Sequence, residues 1–235
     1  MKLKFFISLK FLIPTTFILI TASILVYPYQ LVRALPLYFS LVIMALNSKA
    51  NRLGFLLGGI NSIFYAIVFW RLKLYASMAS ALLLSAPMQI ATFIFWSKKK
   101  YKHSTTFKKL SKTQSLLLLV GSASVWIVSY MILSWMGARH IVLDNTGALI
   151  GIISTVLAML SYKEYIFLQI ISNSIALCLY ASMLSENSAQ ITFLFYQIYA
   201  IICTAKSCVM IRELYSEQRI VSEQMNPVER MRKIS

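Results

Sequence analysis

The chain has 235 residues, 59% of them hydrophobic and only 13% charged, where a soluble domain carries roughly 25% charge; a soluble globular enzyme and a disordered chain are both excluded. With a mean hydropathy of +0.72, the class that remains is a polytopic membrane protein. The net charge of +16, from 23 Lys and Arg against 7 Asp and Glu, is therefore read first as a topology signal, and no nucleic-acid partner is expected.

Crossing a bilayer takes about 20 mostly apolar residues, and eight stretches qualify: 11–29, 35–48, 53–71, 75–96, 114–135, 142–160, 165–183 and 189–211. The first, preceded by Lys2, Lys4 and Lys10, is read as an uncleaved helix rather than a signal peptide. The domains expected are an N-terminal cytoplasmic segment with an extra helix (1–34), a first three-helix repeat (35–96), a basic cytoplasmic loop (97–113), a linking helix (114–135), a second three-helix repeat (142–211) and a cytoplasmic tail (212–235). Placing both termini inside puts 18 Lys and Arg in inner segments against four outside (Arg33, Arg71, Lys73 and Arg139). That asymmetry is the positive-inside pattern.

The repeat shows in the residues. Gly59-Ile60-Asn61-Ser62-Ile63 aligns with Ile171-Ser172-Asn173-Ser174-Ile175, and Met88-Gln89-Ile90 with Tyr196-Gln197-Ile198, at offsets of 112 and 108. Each triplet thus carries Asn in its second helix and Gln in its third. One joining helix between the triplets makes them parallel, related by an axis along the membrane normal, which is the 3+1+3 plan of SWEET transporters. The fold class expected is an all-α, polytopic membrane protein of about eight helices.

Sites in repeat-built transporters lie near the midplane, between the repeats. An unpaired carboxamide in hydrocarbon costs several kcal/mol, so Asn61, Gln89, Asn173 and Gln197 face a bundle interior or water. Each could be helix glue; four at equivalent depth point to a lined cavity. Tyr65, Tyr180, Tyr196 and Tyr199 stand near these amides as candidate stacking groups. Trp70, Trp96, Trp126 and Trp135 read as interfacial belt residues. No acidic residue precedes Asp144. It is expected either to be the N-cap of its helix or to guard the outer entrance. Pro87 interrupts the backbone ladder beside Gln89 and predicts a kink. Lys206 is expected to snorkel or to line the inner exit. Gly54-xxx-Gly58 and Gly147-xxx-Gly151 allow close packing. There is no phosphate-binding loop. Cys178, Cys203 and Cys208 have no metal spacing, and only His103 and His140 could serve as a histidine. Neither an enzyme, a cofactor nor a metal is expected.

These residues resemble a known family. The stretch Leu53–Trp96 with Ser85-Ala86-Pro87-Met88-Gln89, then Leu143-Asp144, Tyr162-Lys163-Glu164 and Asn173, is similar to the PnuC vitamin transporters over about 35–211. The resemblance implies a SWEET-like fold, often a homotrimer, in the bacterial cytoplasmic membrane. It implies uptake of nicotinamide riboside by facilitated diffusion, with a cytoplasmic kinase trapping the cargo by phosphorylation. Relatives carry thiamine, riboflavin or deoxynucleosides, which stand as alternative cargoes; a non-transporting sensor or docking protein is the alternative of another class. The family's Trp-x-x-Trp-x-x-x-Asn pattern is reduced here to Ile166, Gln169 and Asn173, and its closing Gly-x-x-x-Trp is missing around Thr204–Val209.

Overall fold

Backbone polar groups in hydrocarbon must be satisfied within the protein, which favours helices throughout. The computed structural model describes residues 9–26 and 31–224. Lys2 and Lys4, the connection 27–30, the end of the tail from 225 and the side chains of 9–11 and 31–34 lie outside the described residues. The helices are α1 (Leu9–Val26), α2 (Leu31–Asn47), α3 (Leu53–Arg71), α4 (Tyr75–Ala79), α5 (Ala86–Lys98), α6 (Lys112–Trp135), α7 (Ile141–Met159), α8 (Tyr165–Leu184) and α9 (Ile191–Gln224). Six spans among the described residues are long and apolar enough to cross a membrane, α4 and α5 counting as one; α1 and α2 supply shorter apolar helices.

Between α4 and α5 the chain makes a π-helical turn, Ser80–Ser85, and Pro87 sits in the first turn of α5. A proline cannot donate to the carbonyl four residues back and its ring crowds that carbonyl. Widening the preceding turn relieves both effects. The distortion that Pro87 predicts is therefore placed one turn ahead of it.

The packing pairs form a closed cycle: α2 on α3, α3 on α5, α5 on α7, α7 on α8, α8 on α9, and α9 back on α2. Exchanging α2, α3 and α5 for α7, α8 and α9 leaves that cycle unchanged. α6 packs on the outside of α7, and α1 outside α2 and α9. α6 buries only Leu133 along its length, as a helix facing lipid would. Its start carries a capping box, Ser111 Oγ accepting from Gln114 N at 3.2 Å and Gln114 Oε1 accepting from Ser111 N at 3.0 Å.

Apolar clusters seal the two ends. One gathers Ile20, Leu37, Val68, Leu74, Leu179, Phe193 and Tyr199 where α3 and α8 finish; the other gathers Trp96, Phe107, Leu157, Tyr165 and Ile211 where α5 finishes and α8 begins. Trp96 departs from the belt expectation. It is fully buried, its ring edge-on to Phe55 and Phe107, and its Nε1 donates to the Ala158 carbonyl at 2.8 Å. Trp70 and Trp135 are 60% and 89% exposed, as belt residues would be.

The basic stretch 97–113 is not a loose loop. It forms a short hairpin, β1 (Lys100–Tyr101) with β2 (Ser104–Thr105), which docks on the far end of α9. Gln218 Nε2 donates to Thr105 O and its Oε1 accepts from Phe107 N, both at 2.9 Å. That docking explains why α9 continues past 211 to Gln224: Ile211 and Leu214 are buried there, and Arg219 pairs with Glu223 one turn on.

Trp96→Ala is expected to cost about 3–5 kcal/mol of stability through the lost volume. Trp96→Phe keeps most of the packing and loses the indole hydrogen bond, for about 0.5–1.5 kcal/mol, while Ser161 N at 2.9 Å still satisfies the Ala158 carbonyl. Thermal unfolding of the detergent-solubilised variants checks both. A wild-type midpoint for Trp96→Phe would mean the indole hydrogen bond contributes nothing.

Candidate functional site

The six helices of the cycle enclose a cavity of about 300 Å³, and all six line it, with no lining residue from α1 or α6. Its size is that of a small-ligand site. All four repeat-related carboxamides reach it: Asn61 from α3, Gln89 from α5, Asn173 from α8 and Gln197 from α9. Tyr65, Tyr180 and Tyr196 line it as well, and so does Asp144. Tyr65 stacks on Phe69 at 5.5 Å between centroids, and Tyr180 on Phe193 at 4.8 Å.

Three of the singled-out residues lie elsewhere. Tyr199 is 1% exposed, but its hydroxyl donates to the Leu41 carbonyl at 2.7 Å and does not line the cavity; it fastens α9 to α2. Pro87 shapes the backbone without reaching the cavity wall, although Ser85 and Gln89 on either side of it do. Lys206 is half-buried on α9 and away from the cavity. Because α9 does not end at 211, Lys206 stands within the helix rather than near its exit.

The amides are partly spent on holding helices. Asn61 Nδ2 donates to Pro36 O at 3.0 Å and Ser40 Oγ at 2.8 Å, fixing α3 to α2. Gln89 Nε2 donates to Ser62 Oγ at 3.1 Å, and Asn173 Nδ2 to Thr204 Oγ1 at 2.9 Å. What remains is one-sided. Asn61 Oδ1, Gln197 Oε1 and Asn47 Oδ1 are buried acceptors without a protein partner, and all three residues line the cavity. Such a group costs about 1–3 kcal/mol unless a ligand or water donates to it. As packed these oxygens are sealed off, Asn47 Oδ1 against Gly54, so a donor reaches them only when the side chain turns into the cavity.

Asp144 is the only formally charged residue among the described lining residues. It does not cap its own helix. His140 holds the N-cap position of α7 in a left-handed conformation, φ 48°, and Asp144 stands one turn in, 1% exposed. Its carboxylate caps α4 instead, accepting from the backbone N–H of Ala76 at 3.2 Å and of Ser77 at 3.3 Å, and from Ser77 Oγ. The first N–H groups of a helix lack intrahelical partners, and here α7 provides one. Among the described residues no three His, Cys, Asp or Glu side chains gather at one place, so no metal cradle is offered.

Sequence reading passed over Asn47, Gln169 and a set of serines on the cavity wall. Gln169 had a signal: it lies one helical turn before Asn173, and the two meet at 3.5 Å, while Ser154 Oγ donates to Gln169 Oε1 at 3.2 Å. The serines had none, since Ser and Thr in spans commonly bond back to their own helix, as Ser62 does to Gly58 O and Thr155 to Gly151 O.

Against known proteins, residues 30–209 match the family described as nicotinamide mononucleotide transporter. The chain belongs to that family. It is a family of membrane transporters, not of enzymes. The nicotinamide riboside transporter PnuC of Neisseria mucosa is 31% identical over 145 residues, an alignment covering 59% of this chain and 55% of that protein. The chain thus spans about half the length of the curated relative it matches. The crystal structure of the vitamin B3 transporter PnuC superposes with a TM-score of 0.76 over 90% of this chain and 91% of the other, at 21% identity, a likeness of fold.

A Cβ on Gly58 would come within 2.0 Å of Gln89 Oε1. The far end of a flexible side chain can move away, so Gly58→Ala is expected to fold with near-wild-type thermal stability while displacing the Gln89 carboxamide. Ligand affinity should fall by the worth of one hydrogen bond, about 0.5–1.5 kcal/mol or 2–10-fold. Unchanged affinity would mean that Gln89 does not touch the ligand.

Proposed function

We propose that this chain carries nicotinamide riboside across a bacterial cytoplasmic membrane by facilitated diffusion. The observation that carries this reading is the cavity's chemistry: one carboxylate, Asp144, three unpartnered carboxamide acceptors and a wall of aromatic rings. The cargo that suits it is a flat cation with several hydrogen-bond donors. Nicotinamide riboside has a positively charged ring, three ribose hydroxyls and a carboxamide. The ring suits Tyr65, Tyr180 and the neighbouring phenylalanines by stacking and cation–π attraction; the hydroxyls and the amide N–H groups suit Asn47, Asn61 and Gln197.

The same charge argues against the nucleotide. A phosphate entering an enclosed cavity whose one charge is negative would meet like-charge repulsion with no cation to offset it. A cationic cargo also gains from an inside-negative potential, by about 2.3 kcal/mol per 100 mV, so uptake needs neither a proton relay nor a nucleotide-driven motor. Phosphorylation by a cytoplasmic kinase would then keep the cargo inside. Gln169 stands on the cavity wall at a position where the family often has tryptophan. We assign stacking to the tyrosine and phenylalanine pairs in its place.

We read the architecture as SWEET-like 3+1+3: α2, α3 and α4/α5 form one triplet, α7, α8 and α9 the other, with α6 as the inverting link and α1 added in front. The closed packing cycle and its internal exchange support this. The eighteen-to-four distribution of basic residues supports both termini inside, which puts the hairpin and the end of α9 on the cytoplasmic face. A homotrimer is the assembly we expect from the family resemblance.

The reading is tested by flux into proteoliposomes holding only this protein. Nicotinamide riboside should enter saturably, faster with an inside-negative potential, while nicotinamide mononucleotide should not enter. Asn173→Ala with Gln89→Ala should weaken saturation by about ten-fold or more, as expected for two hydrogen bonds. Equal entry of the mononucleotide would sink the charge argument. A preference for thiamine would keep the cationic site and change the cargo.

A further inference from the structure

A second cavity of about 250 Å³ stands apart from the first, at the end of the bundle where α3 and α8 finish and α7 begins, opposite the hairpin. Among the described residues its lining includes Arg71, Lys73, Arg139, Glu186, Asn187 and Gln190. Glu186 is engaged, with Arg139 at 3.1 Å on one oxygen and His140 Nε2 at 3.1 Å on the other. Among the described residues no carboxylate lies within ion-pair reach of Arg71 or Lys73. Two cations therefore border this pocket outside any ion pair, the one carboxylate of its described lining, Glu186, being shared by Arg139 and His140. Lys73 is held at φ 57°, a left-handed backbone that a long side chain rarely adopts.

The second observation is Gln190. It is 1% exposed and lines the pocket, and its Oε1 has no protein partner. A buried carboxamide oxygen left in that state asks for a donor. Two cations beside one buried acceptor match a single chemical pattern: an anion with a hydroxyl next to it. A carboxylate alone would leave Gln190 unmatched, and a neutral sugar would leave the cations unmatched. We propose that this pocket is a phosphate subsite for a phosphate ester with a neighbouring hydroxyl, Arg71 and Lys73 holding the phosphate and Gln190 Oε1 accepting from the hydroxyl. A soluble sugar phosphate or nucleotide and a hydroxyl-bearing phospholipid head group share that chemistry. Either would dock outside the Asp144 cavity, whose charge keeps phosphate out, so the subsite does not depend on which cargo the first cavity carries.

The test uses the full chain purified in neutral detergent and titrated by calorimetry with ribose 5-phosphate, inorganic phosphate and ribose. Ribose 5-phosphate should bind saturably, inorganic phosphate more weakly and ribose not at all. The double variant Arg71→Gln, Lys73→Asn should lose at least ten-fold in affinity for ribose 5-phosphate. Both positions are exposed, and Asn tolerates the left-handed backbone at 73. Gln190→Leu should weaken ribose 5-phosphate and leave inorganic phosphate unchanged; a midpoint of thermal unfolding checks that this variant folds. Repeating the titration in phosphatidylcholine nanodiscs and in discs with phosphatidylglycerol separates the sources. Binding in both assigns the subsite to a soluble phosphate. Binding suppressed by phosphatidylglycerol in the wild type assigns it to the lipid, provided that native mass spectrometry finds the lipid retained by the wild type and released by the double variant. The proposal is overturned if ribose 5-phosphate fails to bind in detergent and the double variant retains as much phosphatidylglycerol as the wild type. It is equally overturned if the double variant binds ribose 5-phosphate with wild-type affinity.

Discussion

The carboxylate of Asp144 is where the two halves of this protein meet in charge. It rises from α7 but accepts the free N–H groups at the start of α4, so one buried side chain closes a helix end, joins α7 to α4 and gives the described cavity wall its sign. Removing a charge from water is expensive unless hydrogen bonds replace the lost hydration. The bonds from Ala76 and Ser77 do that, and they do it only while α4 stays against α7. The short α4 and the π turn behind it follow from the same arrangement: Pro87 forbids an unbroken helix, and the break leaves an N-terminal fragment whose end can be aimed at Asp144.

The hydrogen bonds are spread unevenly over the helices. Three carboxamides bond to helices near them in the chain: Asn61 to α2, Gln89 to α3, Asn173 to α9. Bonds between helices farther apart in the chain come from other residues. Asp144 joins α7 to α4 at one end, Trp96 joins α5 to α7 at the other, and Tyr199 joins α9 to α2. A side chain satisfied within its own half can stay satisfied when the halves move relative to each other. The carboxamides are thus suited to presenting their remaining acceptors to a ligand through such a movement.

Much of this was legible in the residues. Of the eight apolar runs, six are helices long enough to cross a membrane among the described residues and two are shorter apolar helices, and the paired Asn and Gln positions marked the four amides that share the cavity. Two departures come from taking the end of an apolar run as the end of an element. α9 continues past 211 to Gln224, so Lys206 stands within a helix and not near its end. Because Trp96 is followed by a docked hairpin rather than by water, it is a core residue and not a belt residue. The partner of Asp144 was beyond reach for a different reason: Ala76 and Ser77 are 68 and 67 residues away and contribute backbone N–H groups, which carry no side-chain signature. Tyr199 shows the same blindness, since a tyrosine beside Gln197 reads as a cavity residue until its hydroxyl is seen to face a carbonyl on α2.

An apolar cluster stands at each end of the cavity, but only one end also carries a buried charge, and that difference bears on how it could open. At the hairpin end Trp96, Phe55, Phe107 and Tyr165 form a packed aromatic cluster, backed by the Gln218 clamp on the hairpin. Opening there exposes large apolar area at roughly 25 cal/mol per Å², and a cargo can act on that cluster only through Phe55, Tyr165 and the other residues that belong to both the cluster and the cavity wall. At the Asp144 end an apolar cluster is joined by a set of hydrogen bonds to one carboxylate that also lines the cavity. A ligand shifts an equilibrium only by its differential affinity for the two states. A cationic ligand that competes with the α4 N–H groups for Asp144 has such a difference built in, because it stabilises the carboxylate when α4 withdraws. On the proposed function, the charge that favours a cation and the bonds that tie α7 to α4 belong to the same carboxylate, so a mutation of Asp144 would alter both.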